Sequence, residues 1–477
     1  MSLPRSTPSA QGIDAAGLLA FVDAAERGDL DLHSLLVVRH GHVVAEGWWA
    51  PYAASRVHLA YSLSKTVTAT AVGFLVQEGR LSLDDLVLDH FPDLDRTAVA
   101  EGWERVRVRH CLSMTVGHEQ DAWGQVFDRM SGSDFGDEGD WVPKVFATRP
   151  TREPGTVFAY NQVATYLLSV IVRRVAGEGV ADFLRPRLLD PLGLPDIPWH
   201  RDPLGRELGF TGSHLTTEGI ASIAQLYLDG GRWQGEQLLS QEWVQEATRA
   251  FGPLNEDPGA EEDWRRGYGY SFWMQRHGFR GDGAFGQFLI VLPEQDTVVA
   301  VTAEQERMQS TLDLLWEHVL PAVDAPGSAE ADDRLAERFT ALELPALSGD
   351  ALGPEHVELS RSADSDLAEG FTAVSVTRDG NDHVLGLERR GEWLRIPVGR
   401  GVWREGELVG GGATLPVVAS GGWVDEDLFR AEVIAIESPH RFRVEARLRS
   451  GDADLRWRMV PLTGPDPLWL ATRWSTA

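Results

Sequence analysis

Ser62 and Lys65 stand three residues apart in Tyr61-Ser62-Leu63-Ser64-Lys65-Thr66, at the start of a helical pattern that runs through Glu78. On the first turn of a helix this spacing puts both side chains on one face. An amine beside a hydroxyl takes its proton only when the amine is itself uncharged, and burial or neighbouring cations bring a lysine down to about 7–8. The backbone N–H groups of a helix N-terminus suit a developing oxyanion. The pair therefore points to nucleophilic chemistry at a serine hydroxyl. Of the 44 basic residues only two are lysines, Lys65 and Lys144. Arginine does not give up its proton in a protein, so it could not replace a lysine whose task is to be a base. A serine three positions before a lysine is common enough by chance that the motif needs companions.

The companions must sit on a scaffold. A chain of 477 residues suggests two or three domains and ample core, and 43% hydrophobic with 24% charged residues is an ordinary soluble globular composition. The formal net charge of −28 repels phosphate backbones and anionic lipid, which disfavours nucleic acid and membranes as partners. Cys111 is the one cysteine, so no intrachain disulfide and no multi-cysteine zinc site can form; it reads as a buried hydrophobe. His40 and His42 read as turn and surface histidines rather than a metal pair, and neither metal nor cofactor is expected. Residues 1–14 carry no apolar signal core, and no run approaches the roughly 20 apolar residues of a membrane helix, so the cytoplasm is the expected location.

Gly12 to Gly28 has the pattern of an amphipathic helix. Leu35–Arg39 and His42–Trp48 flank His40-Gly41 as a hairpin. In the helix after Ser62, Val67, Ala71, Phe74 and Leu75 form a core-facing stripe, and Gly79 is placed to end it. Residues 116–156 are Gly- and Asp-rich with weak periodicity, and Trp123 and Trp141 fit the wall of an apolar pocket. A helix over Tyr166–Val175, another behind a Thr216 cap, strands at Gln287–Leu292 and Thr297–Thr302, and a helix at Leu312–Val319 follow. The Pro-, Ala-, Asp- and Glu-rich stretch after Ala325 reads as a linker with at most one short helix. Beyond it the period falls to two, as in Phe442, Val444, Ala446 and Leu448 alternating with Arg443, Glu445, Arg447 and Arg449. The expected domains are residues 1–325, a linker over 326–354, and an antiparallel β barrel or sandwich over 355–477.

Ser62-x-x-Lys65, then Tyr160-Asn161-Gln162 in a Pro-Gly-led loop before a helix, then Arg280-Gly281-Asp282-Gly283-Ala284-Phe285-Gly286-Gln287 leading into a strand occur in a meaningful order. Over roughly residues 12–320 the chain resembles the serine β-lactamase and penicillin-binding-protein superfamily. The resemblance is strongest to its class C-like branch of esterases, D-aminopeptidases and 6-aminohexanoate-oligomer hydrolases. Wider context agrees: Leu36-Val37-Val38-Arg39-His40-Gly41, Gly79-Arg80-Leu81-Ser82-Leu83-Asp84-Asp85, Val108-Arg109-His110-Cys111-Leu112-Ser113, Pro154-Gly155-Thr156-Val157-Phe158 and Pro191-Leu192-Gly193-Leu194. The resemblance implies an α/β (α+β) fold: an antiparallel sheet flanked by helices, with an all-helical subdomain. It also implies that the C-terminal β domain is of the lipocalin-like kind some members carry.

By the same resemblance Ser62 is the acylated nucleophile, Lys65 its base partner and Tyr160 a second base that shuttles the proton to the leaving group. A phenol does this where nearby cations favour phenolate or share its proton. The Ser62 and Ala284 backbone N–H groups form the oxyanion hole, and Gly283 and an amide, Asn161 or Gln162, contact substrate. Two departures stand out. The family's Tyr-x-Asn is Tyr160-Asn161-Gln162, and the third motif's Lys or His before Thr-Gly is replaced by Gly281, with Arg280 one position earlier. Loss of that cation, which binds a substrate carboxylate in β-lactam-binding members, points to a neutral ester or amide as the small-molecule or peptide-like substrate. The rival readings are a true β-lactamase or D-aminopeptidase-type peptidase, and a catalytically silent binding protein of the same fold. The sequence is compatible with a homo-oligomer.

Overall fold

β1 (Leu32–Arg39) and β2 (His42–Trp48) are joined by His40 and Gly41, both at left-handed φ (50° and 71°). A two-residue turn of that hand matches the twist of the strands it connects. β1 is buried along its whole length, so it is an interior strand and reads as an unbroken apolar run rather than an alternation. It pairs antiparallel with β6 (Thr297–Ala303), Leu35 opposite Val301. The sheet continues through β5 (Gln287–Leu292), β4 (Phe279–Gly283) and β3 (Trp273–Met274), in the order β2-β1-β6-β5-β4-β3. The computed structural model describes residues 2–128, 139–368 and 370–474.

The sequence between Leu59 and His214 holds no strand among the described residues and supplies the helical part of the fold. Its central element is α2 (Ser64–Gln77), preceded in the chain by α1 (Ala15–Arg27) and followed by α3 (Gln162–Ala176); α4 (Thr217–Leu228) lies beyond this region. The apolar stripe on α2 describes only one of its sides, because every residue from Ser64 to Leu75 is buried. A helix sunk this deep must satisfy its polar side chains internally. Thr66 Oγ1 donates to the Ser271 carbonyl at 2.8 Å, Thr68 Oγ1 to that of Gly209 at 2.9 Å, and Thr70 Oγ1 to that of Thr66 at 2.8 Å. Thr216 caps α4 through the Gly219 amide, as its position ahead of the apolar pattern predicts.

The chain divides into two units, Met1–Gly47 with Leu59–Ala341, and Trp48–His58 with Leu342–Ala477. This differs from the linear division expected. Within residues 326–354, α5 (Ala329–Thr340), capped by Ser328, belongs to the first unit, while Ala351 bridges Trp423 in the second. Trp48–His58 joins the second unit through an Ala50–Glu343 bridge and a Tyr52 hydroxyl donating to the Ser438 carbonyl at 3.0 Å. Partners that far along the chain leave no local pattern to read.

Among the described residues the second unit is a nearly closed, barrel-like sheet of nine strands in one path, with the short strand Arg473–Trp474 paired off it. Its strands are β7 (His356–Arg361), β8 (Phe371–Asp379), β9 (Asp382–Arg389), β10 (Glu392–Val398), β11 (Arg404–Gly410), β12 (Ala413–Trp423), β13 (Leu428–Ala435), β14 (Arg441–Arg447) and β15 (Asp452–Trp457). They run in the order β10-β9-β8-β7-β15-β14-β13-β12-β11, antiparallel except where β7 meets β15. The edge strands β10 and β11 come so close that a Cβ on Gly406 would lie 2.6 Å from Pro397. Phe442, Val444 and Ala446 of β14 are buried while Arg443 and Arg447 are exposed, which is the period of two seen in the sequence.

Candidate active site

Ser62 lies in a single 3-10 turn, Tyr61–Leu63, that runs directly into α2. Tyr61 holds a left-handed φ of 46°, a conformation costing a bulky residue about 1–2 kcal/mol. The turn is pinned by Ser64, whose Oγ donates to the Tyr61 carbonyl at 2.6 Å and accepts from the Ser213 amide at 3.0 Å. Lys65 is 1% exposed, and its Nζ donates to Ser62 Oγ at 3.0 Å and to the Phe210 carbonyl at 2.9 Å. The same Nζ stands 4.6 Å from the Tyr160 ring centre. Burial pulls the Lys65 ammonium from 10.5 down to about 7, against the charges of Asp121 and Asp282. Near neutrality a fraction of this lysine is therefore free amine, hydrogen-bonded to a serine hydroxyl.

Tyr160 precedes α3 and hydrogen-bonds to Ser62. Its ring stacks on Trp273 with centres 5.4 Å apart at 24°, and meets Tyr268 edge-on. Burial, reinforced by Asp282, pushes the phenol well above its ordinary value. Of the two expected routes, phenolate favoured by nearby cations or a proton shared with them, this environment disfavours the first: burial, and then the Asp282 carboxylate, favour the neutral phenol.

The two candidate amides part company. Asn161 is buried; its Oδ1 accepts from the Val163 amide at 3.3 Å and the Ala122 amide at 3.2 Å, and its Nδ2 bonds to His118 Nδ1 at 3.0 Å. It is the N-cap of α3. Gln162 sends its backbone N–H to Asp121 Oδ1 at 3.0 Å, while its side-chain Oε1 is buried with no hydrogen-bond partner among the described residues.

The third motif forms β4 itself rather than leading into it. On one face of β4, Gly281 and Gly283 lie against the Tyr61–Leu63 turn and the start of α2. A Cβ on Gly281 would come 2.5 Å from Thr66 Oγ1 and 2.7 Å from Leu63 Cδ1, and one on Gly283 would strike the Ala60 carbonyl. Ala60-Tyr61-Ser62 and Gly283-Ala284-Phe285 are thus neighbouring segments. The Tyr61 and Phe285 rings meet at 5.1 Å and 60°, and Phe285 also has positive φ, 66°. Alternation turns Arg280 and Asp282 the other way. Arg280 is fully buried: Nε donates to Asp282 Oδ2 at 3.0 Å, Nη1 to the Asp263 carbonyl at 3.0 Å, and the guanidinium lies 4.2 Å from the Trp264 ring centre. It is thereby engaged elsewhere and does not replace the cation absent at Gly281.

A family model described as Beta-lactamase matches residues 22–323. The chain belongs to the beta-lactamase family. Among its relatives, the 6-aminohexanoate-dimer hydrolase of Paenarthrobacter ureafaciens is 29% identical over 280 residues, 56% of this chain and 71% of that protein. Penicillin-binding protein 4 of Amycolatopsis lactamdurans is 27% identical over 323 residues, 61% of this chain and 80% of that protein. A solved hydrolase with promiscuous acyltransferase activity superposes with a TM-score of 0.52 at 16% identity, covering 65% of this chain and 99% of that one. At that identity the likeness speaks for the fold alone.

Within this beta-lactamase-family site, several residues lack an individual sequence signal. Trp273 and Tyr268 wall Tyr160, Phe210 lends its carbonyl to Lys65, and the exposed Asp121 acts on Lys65 by its charge. Trp141, expected as pocket wall, is fully buried with Trp123 and Tyr166 in an aromatic core cluster. Residues 129–138 of that stretch lie outside the described residues. Cys111 is buried, which pushes its thiol up to about 12. Among the described residues no group of three or more His, Cys, Asp and Glu is placed to hold a metal ion, and no helix is long and apolar enough to cross a membrane.

Proposed function

We propose that this beta-lactamase-family hydrolase cleaves an ester or amide through an acyl-enzyme on Ser62. The observation that carries the reading is the Lys65 Nζ–Ser62 Oγ hydrogen bond of 3.0 Å in a setting that brings the amine near neutrality. Free-amine Lys65 takes the Ser62 proton as Oγ attacks the carbonyl carbon. The oxyanion so formed is met by the Ser62 and Ala284 N–H groups, each such donor being worth about 3 kcal/mol in the transition state. Tyr160, a neutral phenol bonded to Ser62, passes its own proton to the leaving oxygen or nitrogen and is reprotonated from Lys65. Water then attacks the acyl group, the same two residues handling its proton, and Ser62 is restored.

Gln162, with its unpaired Oε1, would meet the substrate in place of Asn161. Filling of the Gly281 position by the nucleophile helix, and burial of Arg280, support a substrate that presents no carboxylate there. A relative named for a 6-aminohexanoate dimer supports counting amides among the candidates.

The test is treatment with a fluorophosphonate followed by peptide mass spectrometry, with p-nitrophenyl butyrate and nitrocefin turnover measured in parallel. One adduct on the Ser62 peptide, lost in Ser62→Ala together with ester turnover, is expected, with nitrocefin the poorer substrate. Turnover that survives Ser62→Ala would overturn the reading.

A further inference from the structure

Asp282 occupies the middle place of the third motif, where the resembling family carries Thr. It is a buried carboxylate, 8% exposed. Three structural facts meet on it. Arg280 Nε clamps one oxygen at 3.0 Å from two residues away on the same face of β4. The Trp273 side chain hydrogen-bonds to the carboxylate from β3, where Trp273 stands in register with Arg280. Trp273 in turn is the plate on which the Tyr160 ring lies, at 5.4 Å and 24°, with Tyr268 closing its edge at 4.7 Å.

We infer that Asp282 is a positioning residue of the active site: fixed by Arg280, it sets the Trp273 plate that holds Tyr160 and presents the buried negative charge that stabilises the Lys65 ammonium formed during acylation. The inference rests on the proposed acyl-enzyme reading and deepens it. It assigns a role to a position where the family pattern has a hydroxyl, and it explains why a buried arginine lies beside the site without entering it.

The charges that face these groups come from several elements. Lys65 is met by Asp282 from β4, by Asp121 from the loop ahead of Trp123, and by the Tyr160 phenol. Asp282 is met by Arg280, Lys65 and the Trp273 N–H, and it acts in turn on Tyr160 and Tyr268. Burial lifts the Asp282 carboxyl above its ordinary range, and the Arg280 guanidinium at 3.0 Å opposes that rise. Its charge opposes the pull of burial on Lys65. Without it the ammonium keeps the support of Asp121 but loses that of Asp282, and Lys65 titrates lower.

Having two lysines makes this directly measurable. The Lys65 side chain can be followed by NMR in lysine-labelled protein, with Lys144→Arg assigning the other signal. Asp282→Asn keeps the shape and an oxygen for the Trp273 N–H but removes the charge. The expected result is a Lys65 midpoint lower by about half a pH unit or more, a threefold or larger loss of proton affinity. The acid limb of kcat should move with it, with kcat reduced at the plateau and KM little changed. Asp282→Glu should restore part of the midpoint. Where Asp282→Asn alone does not fold, Arg280→Met with Asp282→Asn removes the unpaired guanidinium and gives the same readout. An unchanged Lys65 midpoint in a folded variant whose Ser62 still takes the fluorophosphonate overturns this inference alone. Absence of a Ser62 adduct in the unaltered protein is instead the failure of the acyl-enzyme reading.

Discussion

Gly281 and Thr66 stand so close that a Cβ on the glycine would lie 2.5 Å from Thr66 Oγ1, with Leu63 Cδ1 at 2.7 Å on the other side. The missing cation of the third motif is therefore more than a substitution, because the first turns of α2 occupy the space its stem would need. Thr66 cannot yield easily, since its hydroxyl is tied to the Ser271 carbonyl at 2.8 Å. Gly281→Ala should destabilise the protein by about 1–3 kcal/mol, the usual cost of overpacking, read as a lower urea midpoint. Gly281→Lys should be worse and should confer no gain in nitrocefin hydrolysis.

The adjacent amides predict opposite phenotypes. Asn161→Ala removes the cap of α3 and should cost about 1–2 kcal/mol of stability. Gln162→Ala should leave the denaturation midpoint within about 0.5 kcal/mol while raising KM for the ester. Paired melts and kinetics on the two variants check this; a KM effect confined to Asn161→Ala would contradict the assignment.

Lys65 also carries a stability cost with a definite pH signature. Its folded value of about 7 lies below the ordinary 10.5, so between those pH values the unfolded chain binds a proton that the folded one does not. Folded stability from this group therefore rises with pH across that window, and the penalty is fully present at pH 7 and below. Lys65→Met should be inactive yet more stable at pH 6, by about 2–4 kcal/mol once its two lost hydrogen bonds are subtracted. That advantage should fade as pH approaches 10. Equal stability gains at pH 6 and pH 10, from denaturant titrations, would contradict a depressed lysine.

What was legible in the sequence follows the range of the interactions. Ser62 and Lys65 belong to one helical turn, the β1–β2 hairpin to a two-residue turn, and β14 to strict alternation; each is a local pattern. Tyr160 was found through motif order rather than chemistry, and its phenol is raised first by burial and then by Asp282, 122 residues later, neither of which a local window shows. Trp273 and Phe210 had no signal at all: a stacking plate and a carbonyl acceptor are available to almost any residue in an apolar stretch. The joining of Trp48–His58 to the barrel unit depends on pairing with residues such as Glu343 and Ser438, beyond any window of periodicity.

Titrating the Lys65 side chain by NMR in the resting protein, alongside the pH dependence of fluorophosphonate capture at Ser62, is the most direct measurement. The account predicts a Lys65 midpoint of about 7, with the rate of Ser62 capture rising through that same pH. A midpoint above about 9 with capture indifferent to it would mean that the lysine stays a cation, and that Ser62 is not activated in the way its geometry suggests.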